Sequence, residues 1–238
     1  MTQLKLYAPG KNLDRTIQVA GFDLDGVLSD AEPFKFLAYK MVMLRHGVPL
    51  DLLEDGEFLR LYAEKCIGKT GEENAQAQLD WAKERGFDLG ITAKDHRDER
   101  MPMYKPLEGF IPLIGKHVEP VKWIGENSDC LMYLISRTDE KRSREAMARA
   151  GIEDCFTYRN VVGKGQAKYG AFAEDIQAQG ISFENCMCIE DTEQGISDIP
   201  EGMLRIAVPN YFTRNQDFSK ADFVVGMDDL LKSYLQLI

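Results

Sequence analysis

The hydrophobic pattern changes its period along the chain. Residues 17–23, IQVAGFD, form a short apolar run of strand length that ends on an acid. Beyond it the spacing becomes helical. In FKFLAYKMVMLRHG, Phe34, Leu37, Ala38, Met41, Val42 and Arg45 recur at helical intervals, and Gly47 is a natural stop. TGEENAQAQLDWAKERG opens on Thr70 and Glu73, a capping-box pattern, and closes at Gly86. TAKDHRDERM predicts a further polar helix, so residues 31–105 read as all-helical. After Pro106 the pattern changes again. Helical FIPLIGKHVEPVKWIGEN leads to the apolar strand CLMYLIS, the helix DEKRSREAMARAG, short strand pieces around FTYRNVV and the helix AKYGAFAEDIQAQG. Then come the strand NCMCI, a short helix after Asp191, the strands LRIAVP and DFVV, and a closing helix.

Strands separated by helices imply a parallel sheet with helices on both faces. The fold class is therefore α/β: a Rossmann-like core, residues 1–30 and 106–238, with an α-helical domain of residues 31–105 inserted after the first core strand. Residues 1–16 carry no assigned role. At 238 residues the chain can hold such a core with its insert. The formal net charge of −10 argues against nucleic acid or an anionic membrane as partner, and requires a local cation or a metal for any anionic substrate. The N-terminal stretch lacks a signal-peptide core and no apolar run reaches membrane-spanning length. The five cysteines read as buried free thiols of a cytoplasmic protein, and the three histidines lack metal-ligand spacing.

In an open parallel sheet, ligands bind beyond the carboxyl ends of the strands. The residues just past each apolar run share one chemistry. The first strand delivers Asp23 and Asp25, which share a side of an extended backbone and repel unless something positive lies between them. CLMYLIS delivers Ser136, then Arg137 and Thr138; NCMCI delivers Glu190 and Asp191; and a helix begins near Lys168. Taken singly, each has a structural reading as a turn, a helix cap or a dipole-favouring acid. Taken together, an acid pair, a hydroxyl, a lysine and a second acid pair arrive at one sheet edge.

FDLDGVLSD, LIS, Lys168 and CIEDTEQGI resemble, in order, the four motifs of the haloacid dehalogenase-like superfamily of phosphatases and phosphomutases. The stretches DGVLSDAEP and EDTEQGI resemble its sugar-phosphate phosphatase and β-phosphoglucomutase branch. The likeness runs from about residue 17 to the end, with residues 31–105 at the place of that family's helical cap. It implies a Mg²⁺-dependent phosphatase acting on a small phosphorylated metabolite through an aspartyl-phosphate. Asp23 would be the nucleophile and Asp25 the general acid and base. Ser136 and Lys168 would hold the phosphoryl oxygens, with Lys164 the substitute for Lys168. Asp23, Asp25 through its backbone carbonyl, Glu190 and Asp191 would hold Mg²⁺. Gly26, Arg137, Lys164, Lys69 and Thr70 are the substrate-contact candidates, with Glu32 and Lys35 beside the IGKT turn. The chain departs from the sugar-phosphate pattern in lacking a Lys-Pro-x-Pro stretch and a Gly-x-Ser-Arg turn, which favours a phosphatase over a phosphomutase. A non-catalytic phosphoacceptor or binding protein is the remaining alternative, and a monomer or weak homo-oligomer is expected.

Overall fold

A computed structural model describes residues 2–138, 140–161 and 167–238. The chain divides into two compact units: residues 1–30, 113–210 and 217–238, and residues 31–112 with 211–216.

The first unit is built on a six-stranded sheet. Its strands are β3 (Val19–Phe22), β4 (Leu131–Ser136), β5 (Tyr158–Val161), β6 (Cys186–Glu190), β7 (Leu204–Ala207) and β8 (Phe223–Val224). They lie in the order β5-β4-β3-β6-β7-β8, each adjacent pair parallel. Helices α6 (Gly115–Asn127), α7 (Glu140–Ala150), α8 (Gly170–Ala178), α9 (Glu193–Asp198) and α10 (Met227–Ser233) connect and flank them. Every residue of β3 and β6 is buried, as a central parallel strand covered on both faces requires. Phe22, Leu134 and Ile189 belong to one apolar cluster, while Val19, Tyr133 and Cys188 belong to another. This is the two-residue alternation of strands with a core on each side.

A second sheet is absent from the sequence-based expectation. β1 (Leu4–Ala8) and β2 (Leu13–Ile17) form an antiparallel hairpin, and β9 (Leu235–Leu237) pairs with β1. Residues 1–16 thus serve to place Leu4 and Leu6 in the core. The helix expected after DFVV is α10 (Met227–Ser233), and β9 follows it. The helix expected from FIPLIG starts later, at Gly115, because Ile111 and Ile114 hold extended backbone.

The second unit contains α1 (Glu32–Arg45), α2 (Leu50–Glu54), α3 (Glu57–Leu61), a π-helical turn (Tyr62–Cys66), α4 (Gly71–Glu84) and α5 (Ala93–Tyr104). Gly47 (φ +85°) follows the end of α1, and Gly86 (φ +87°) that of α4, each in the left-handed conformation that favours glycine. The buried stripe of α1 is Ala38, Tyr39, Val42 and Met43, whereas Leu37 and Met41 are exposed. Phe212, from the 211–216 excursion, packs against the rings of Phe36 and Tyr62.

Candidate functional site

The site is set by register. Phe22 pairs with Leu134 on one side and Ile189 on the other, so β3, β4 and β6 end side by side. Asp23 continues the ladder by donating its N–H to the Ile189 carbonyl (3.1 Å). The next residues out of the three strands are therefore neighbours: Asp23 from β3, Ser136 from β4, Glu190 and Asp191 from β6.

One carboxylate oxygen from each of Asp23, Glu190 and Asp191 lies within 4.8 Å of the other two, and all three residues are buried. Lys168, two residues before α8 and 8% exposed, pairs with Asp23 (2.7 Å) and with Glu190. The Tyr169 hydroxyl donates to the same Glu190 oxygen as Lys168 (2.7 Å). Burial pushes the Asp23 carboxyl up to about 7, opposed by the Lys168 ammonium beside it. Burial also disfavours the Lys168 charge, yet the Asp23 and Glu190 carboxylates more than offset it and hold the ammonium above its ordinary range.

Two glycines make room for these acids. A β-carbon on Gly26, whose φ is +90°, would stand 2.0 Å from Asp191 Oδ2, and one on Gly195 would stand 2.3 Å from Glu190 Oε2. Asn210 Nδ2 donates to Asp191 Oδ2 (2.7 Å) and fixes its orientation. Glu190 Oε2 is buried and accepts no hydrogen bond from the described residues. An all-oxygen set with one unsatisfied buried carboxylate oxygen fits a hard divalent cation such as Mg²⁺.

Asp25 is engaged elsewhere. Its oxygens accept from Ser29 Oγ (2.9 Å) and Thr138 Oγ1 (2.9 Å), and Arg142 of α7 clamps both of them (2.5 and 3.2 Å). The expected crowding of Asp23 and Asp25 is thereby relieved, since each carboxylate has its own cation. Arg142 is not among the residues singled out from the sequence. The available signal is its position four residues after Thr138, on the helix that follows a strand exit.

Ser136 belongs to the same sheet edge, and each remaining described candidate lies within its own unit. Ser136 is buried, and its Oγ accepts from the Thr138 N–H (3.0 Å). Arg137 is exposed and pairs with Asp198 (3.5 Å). Lys164 lies outside the described residues. Lys69 and Thr70 belong to the second unit, where the Thr70 hydroxyl accepts from the Glu73 N–H and the Glu73 carboxylate accepts from the Thr70 N–H, closing the capping box of α4. Glu32 and Lys35 form an ion pair (2.6 Å), and the Tyr62 hydroxyl donates to Glu32 (2.9 Å).

No protein-family model matches the chain. A curated relative, the β-phosphoglucomutase of Bacillus subtilis (strain 168), is 27% identical over 217 residues, 86% of this chain and 87% of the relative. Among solved structures, a predicted phosphoglycolate phosphatase from Haemophilus somnus 129PT is similar with a TM-score of 0.72 at 15% identity, covering 91% of this chain and 97% of that one. A haloacid dehalogenase-like family hydrolase from Streptococcus pneumoniae has a TM-score of 0.66 at 17% identity, covering 87% and 92%. The fold is that of the haloacid dehalogenase-like hydrolases. Within that fold, the acid cluster of this chain stands at the carboxyl edge of the parallel sheet, at the ends of the adjacent strands β3 and β6. Among the described residues, no helix is long and apolar enough to cross a membrane.

Proposed function

We propose that the chain is a Mg²⁺-dependent phosphatase that hydrolyses a small phosphate monoester through an aspartyl-phosphate on Asp23. The observation that carries this reading is the buried cluster of Asp23, Glu190 and Asp191, tied by Lys168 at neighbouring strand ends. Asp23, Glu190 and Asp191 would hold the cation, with the Asp25 carbonyl. Bound there, Mg²⁺ neutralises charge that would otherwise repel a phosphate dianion.

An oxygen of Asp23 attacks phosphorus while the bond to the leaving alcohol oxygen breaks, and Asp25 gives that oxygen its proton. In the second half a water oxygen attacks phosphorus, its proton passes to Asp25, and the bond to Asp23 breaks. For this the Asp25 carboxyl has to exchange its Arg142 clamp for the proton it transfers. Lys168 offsets the charge of the transferring group, and Ser136 offers its hydroxyl to a phosphoryl oxygen. One preorganised donor of this kind is worth about 10²–10³ in rate. The second unit serves as the cap that selects the leaving group, with Lys69 and Thr70 at its IGKT turn. Free thiols throughout the described cysteines suit a cytoplasmic setting.

The test is phosphate release from a panel of sugar and small-acid phosphates with Mg²⁺ or with EDTA. Release is expected with Mg²⁺ alone, and Asp23→Asn lowers it about 10⁴-fold or more. A folded, Mg²⁺-binding protein that releases phosphate from none of them would sink the hydrolase reading. The likeness to a β-phosphoglucomutase favours one second reading, return of the phosphoryl group to a sugar. Conversion of a sugar 1-phosphate to its 6-phosphate without net phosphate release would establish it.

A further inference from the structure

Asp25 stands two residues beyond Asp23, yet its carboxylate is engaged by a different cation. Arg142 Nη2 donates to Asp25 Oδ1 (2.5 Å) and Nη1 to Oδ2 (3.2 Å), while Ser29 Oγ and Thr138 Oγ1 each donate to one of the same oxygens (2.9 Å). Two N–H groups of one guanidinium on two carboxylate oxygens make a strong and directional pair. Only 12% of the Arg142 side chain and 13% of the Asp25 side chain is exposed, so solvent screens the pair poorly. The backbone here is pinned as well. The Gly26 N–H donates to the Ser29 carbonyl and the Ser29 N–H to the Leu24 carbonyl (2.7 Å each). Where the Asp25 carboxylate lies is therefore decided by its side-chain partners, Arg142 foremost.

The neighbouring cluster already offers one oxygen each from Asp23, Glu190 and Asp191 within 4.8 Å of one another. Glu190 Oε2 is buried there with no donor among the described residues. The Asp25 charge reaches this cluster: burial leads the causes that raise the Asp23 carboxyl, Lys168 opposes it, and Asp25 adds a smaller push. A fourth carboxylate in the cluster would suit some cations better than others. Mg²⁺ demands near-ideal octahedral geometry, keeps several waters and binds through one or two carboxylates plus substrate phosphate. Ca²⁺ takes about six to eight oxygens in a flexible arrangement, and its affinity follows the charge count of its ligands. Each further carboxylate therefore moves such a site from Mg²⁺ toward Ca²⁺.

We propose that Arg142 sets the metal preference of the site: by holding the Asp25 carboxylate toward α7 it keeps the cluster at three carboxylates and so favours Mg²⁺ over Ca²⁺. Arg142 is a positioning residue, since it acts through Asp25. Without it, the carboxylate two residues beyond Asp23 joins the cluster as a fourth. This rests on the reading of the acid cluster as a divalent-cation site, but it is tested by metal binding without turnover.

The probes are Mg²⁺ alone and Ca²⁺ alone, titrated calorimetrically into the full-length protein without substrate. Arg142→Met is expected to shift the ratio of the two affinities toward Ca²⁺ by about tenfold or more. The ratio is the decisive readout, because losing a positive charge nearby strengthens both divalent cations alike. Asp25→Asn alone leaves the ratio unchanged, and Arg142→Met combined with Asp25→Asn returns it to the wild-type value. Arg142→Lys, with one point charge in place of the fork, gives a smaller shift in the same direction. It carries the test if Arg142→Met does not fold. An unchanged ratio in the folded variants, or a shift that survives Asp25→Asn, overturns the proposal. Mg²⁺-dependent phosphate release with no shift of the ratio would overturn the role of Arg142 and leave the phosphatase standing. A shifted ratio with no turnover of any ester would do the reverse.

Discussion

The two units solve opposite electrostatic problems. In the first, three buried carboxylates cluster and Lys168 pairs with two of them, so the site is short of positive charge and, among the described residues, Glu190 Oε2 is left without a donor. In the second, Lys69 and Arg100 line a small cavity and have no carboxylate partner among the described residues, the one lining acid, Glu32, being paired with Lys35. Surface charges can lack partners at little expense because water screens them. Inside a fold the same imbalance has to be met by tight internal pairing or by a ligand. The first unit uses internal pairing in part, through Lys168, whereas in the second Arg100 has ring and sulfur contacts but no carboxylate partner among the described residues.

Removing each central cation separates these strategies most strongly. Lys168→Met keeps side-chain length but leaves Asp23 and Glu190 facing one another out of water. Breaking a buried pair in this way is expected to lower unfolding free energy by about 3–5 kcal/mol. Urea unfolding at pH 8 in EDTA would show this, and Mg²⁺ would recover part of the loss by taking over the cation's place. Arg100→Met removes a ring contact worth about 0.5–2 kcal/mol and leaves no carboxylate stranded. Equal losses for the two variants would erase the distinction drawn between the units.

Legibility in the sequence divides in a similar way, between local and distant causes. The acids are legible because a buried strand that ends on a carboxylate is unusual, and because parallel strands all end at one edge. Asp23, Glu190, Asp191 and Lys168 need only that rule. Arg142 is harder to read, because its partner Asp25 lies 117 positions away and the spacing from Thr138 does not name that partner. The third strand of the N-terminal sheet is hidden for a like reason: β9 pairs with β1, Leu237 with Leu4, from the other end of the chain. On α1 the helical spacing of Leu37, Ala38, Met41 and Val42 is legible, but not which face is buried. The face that Tyr39 and Met43 bury is set by neighbours such as Tyr62 and His96, which local spacing does not record.

A third buried ionisable group is held in its neutral form, which sets it apart from both charged sites. His96 in α5 has Nε2 against the Met43 sulfur (3.4 Å) and a buried Nδ1 without a partner. Burial lowers its proton affinity, from an ordinary value of 6.5 to about 4, and His46 and Arg100 nearby act in the same direction while Glu99 opposes. The unfolded chain therefore binds more protons than the folded one between those two values, so stability rises with pH across that window. The contribution is complete above about pH 6.5 and declines as the pH falls toward 4. It amounts to about 2 kcal/mol by pH 5 and about 3 kcal/mol at the lower end. Chemical denaturation at pH 7.5 and pH 5 measures it directly. His96→Leu should flatten this acid limb, and an unchanged slope would show that some other group carries it.

The smallest expected effect bears on the start of α4. The sequence presents Thr70 both as the first residue of a capping box and as a substrate contact beside Lys69. In the structure its hydroxyl accepts from the Glu73 N–H, and Glu73 closes the box from the other side. These bonds to Thr70 hold the Glu73 carboxyl below its usual range. The capping role predicts that Thr70→Ala costs about 1 kcal/mol, and that Thr70→Asp recovers most of it, because aspartate caps a helix as well as threonine does. Thermal melts on the two variants measure both effects. If Thr70→Ala left the melt unchanged, the hydroxyl would not be capping α4.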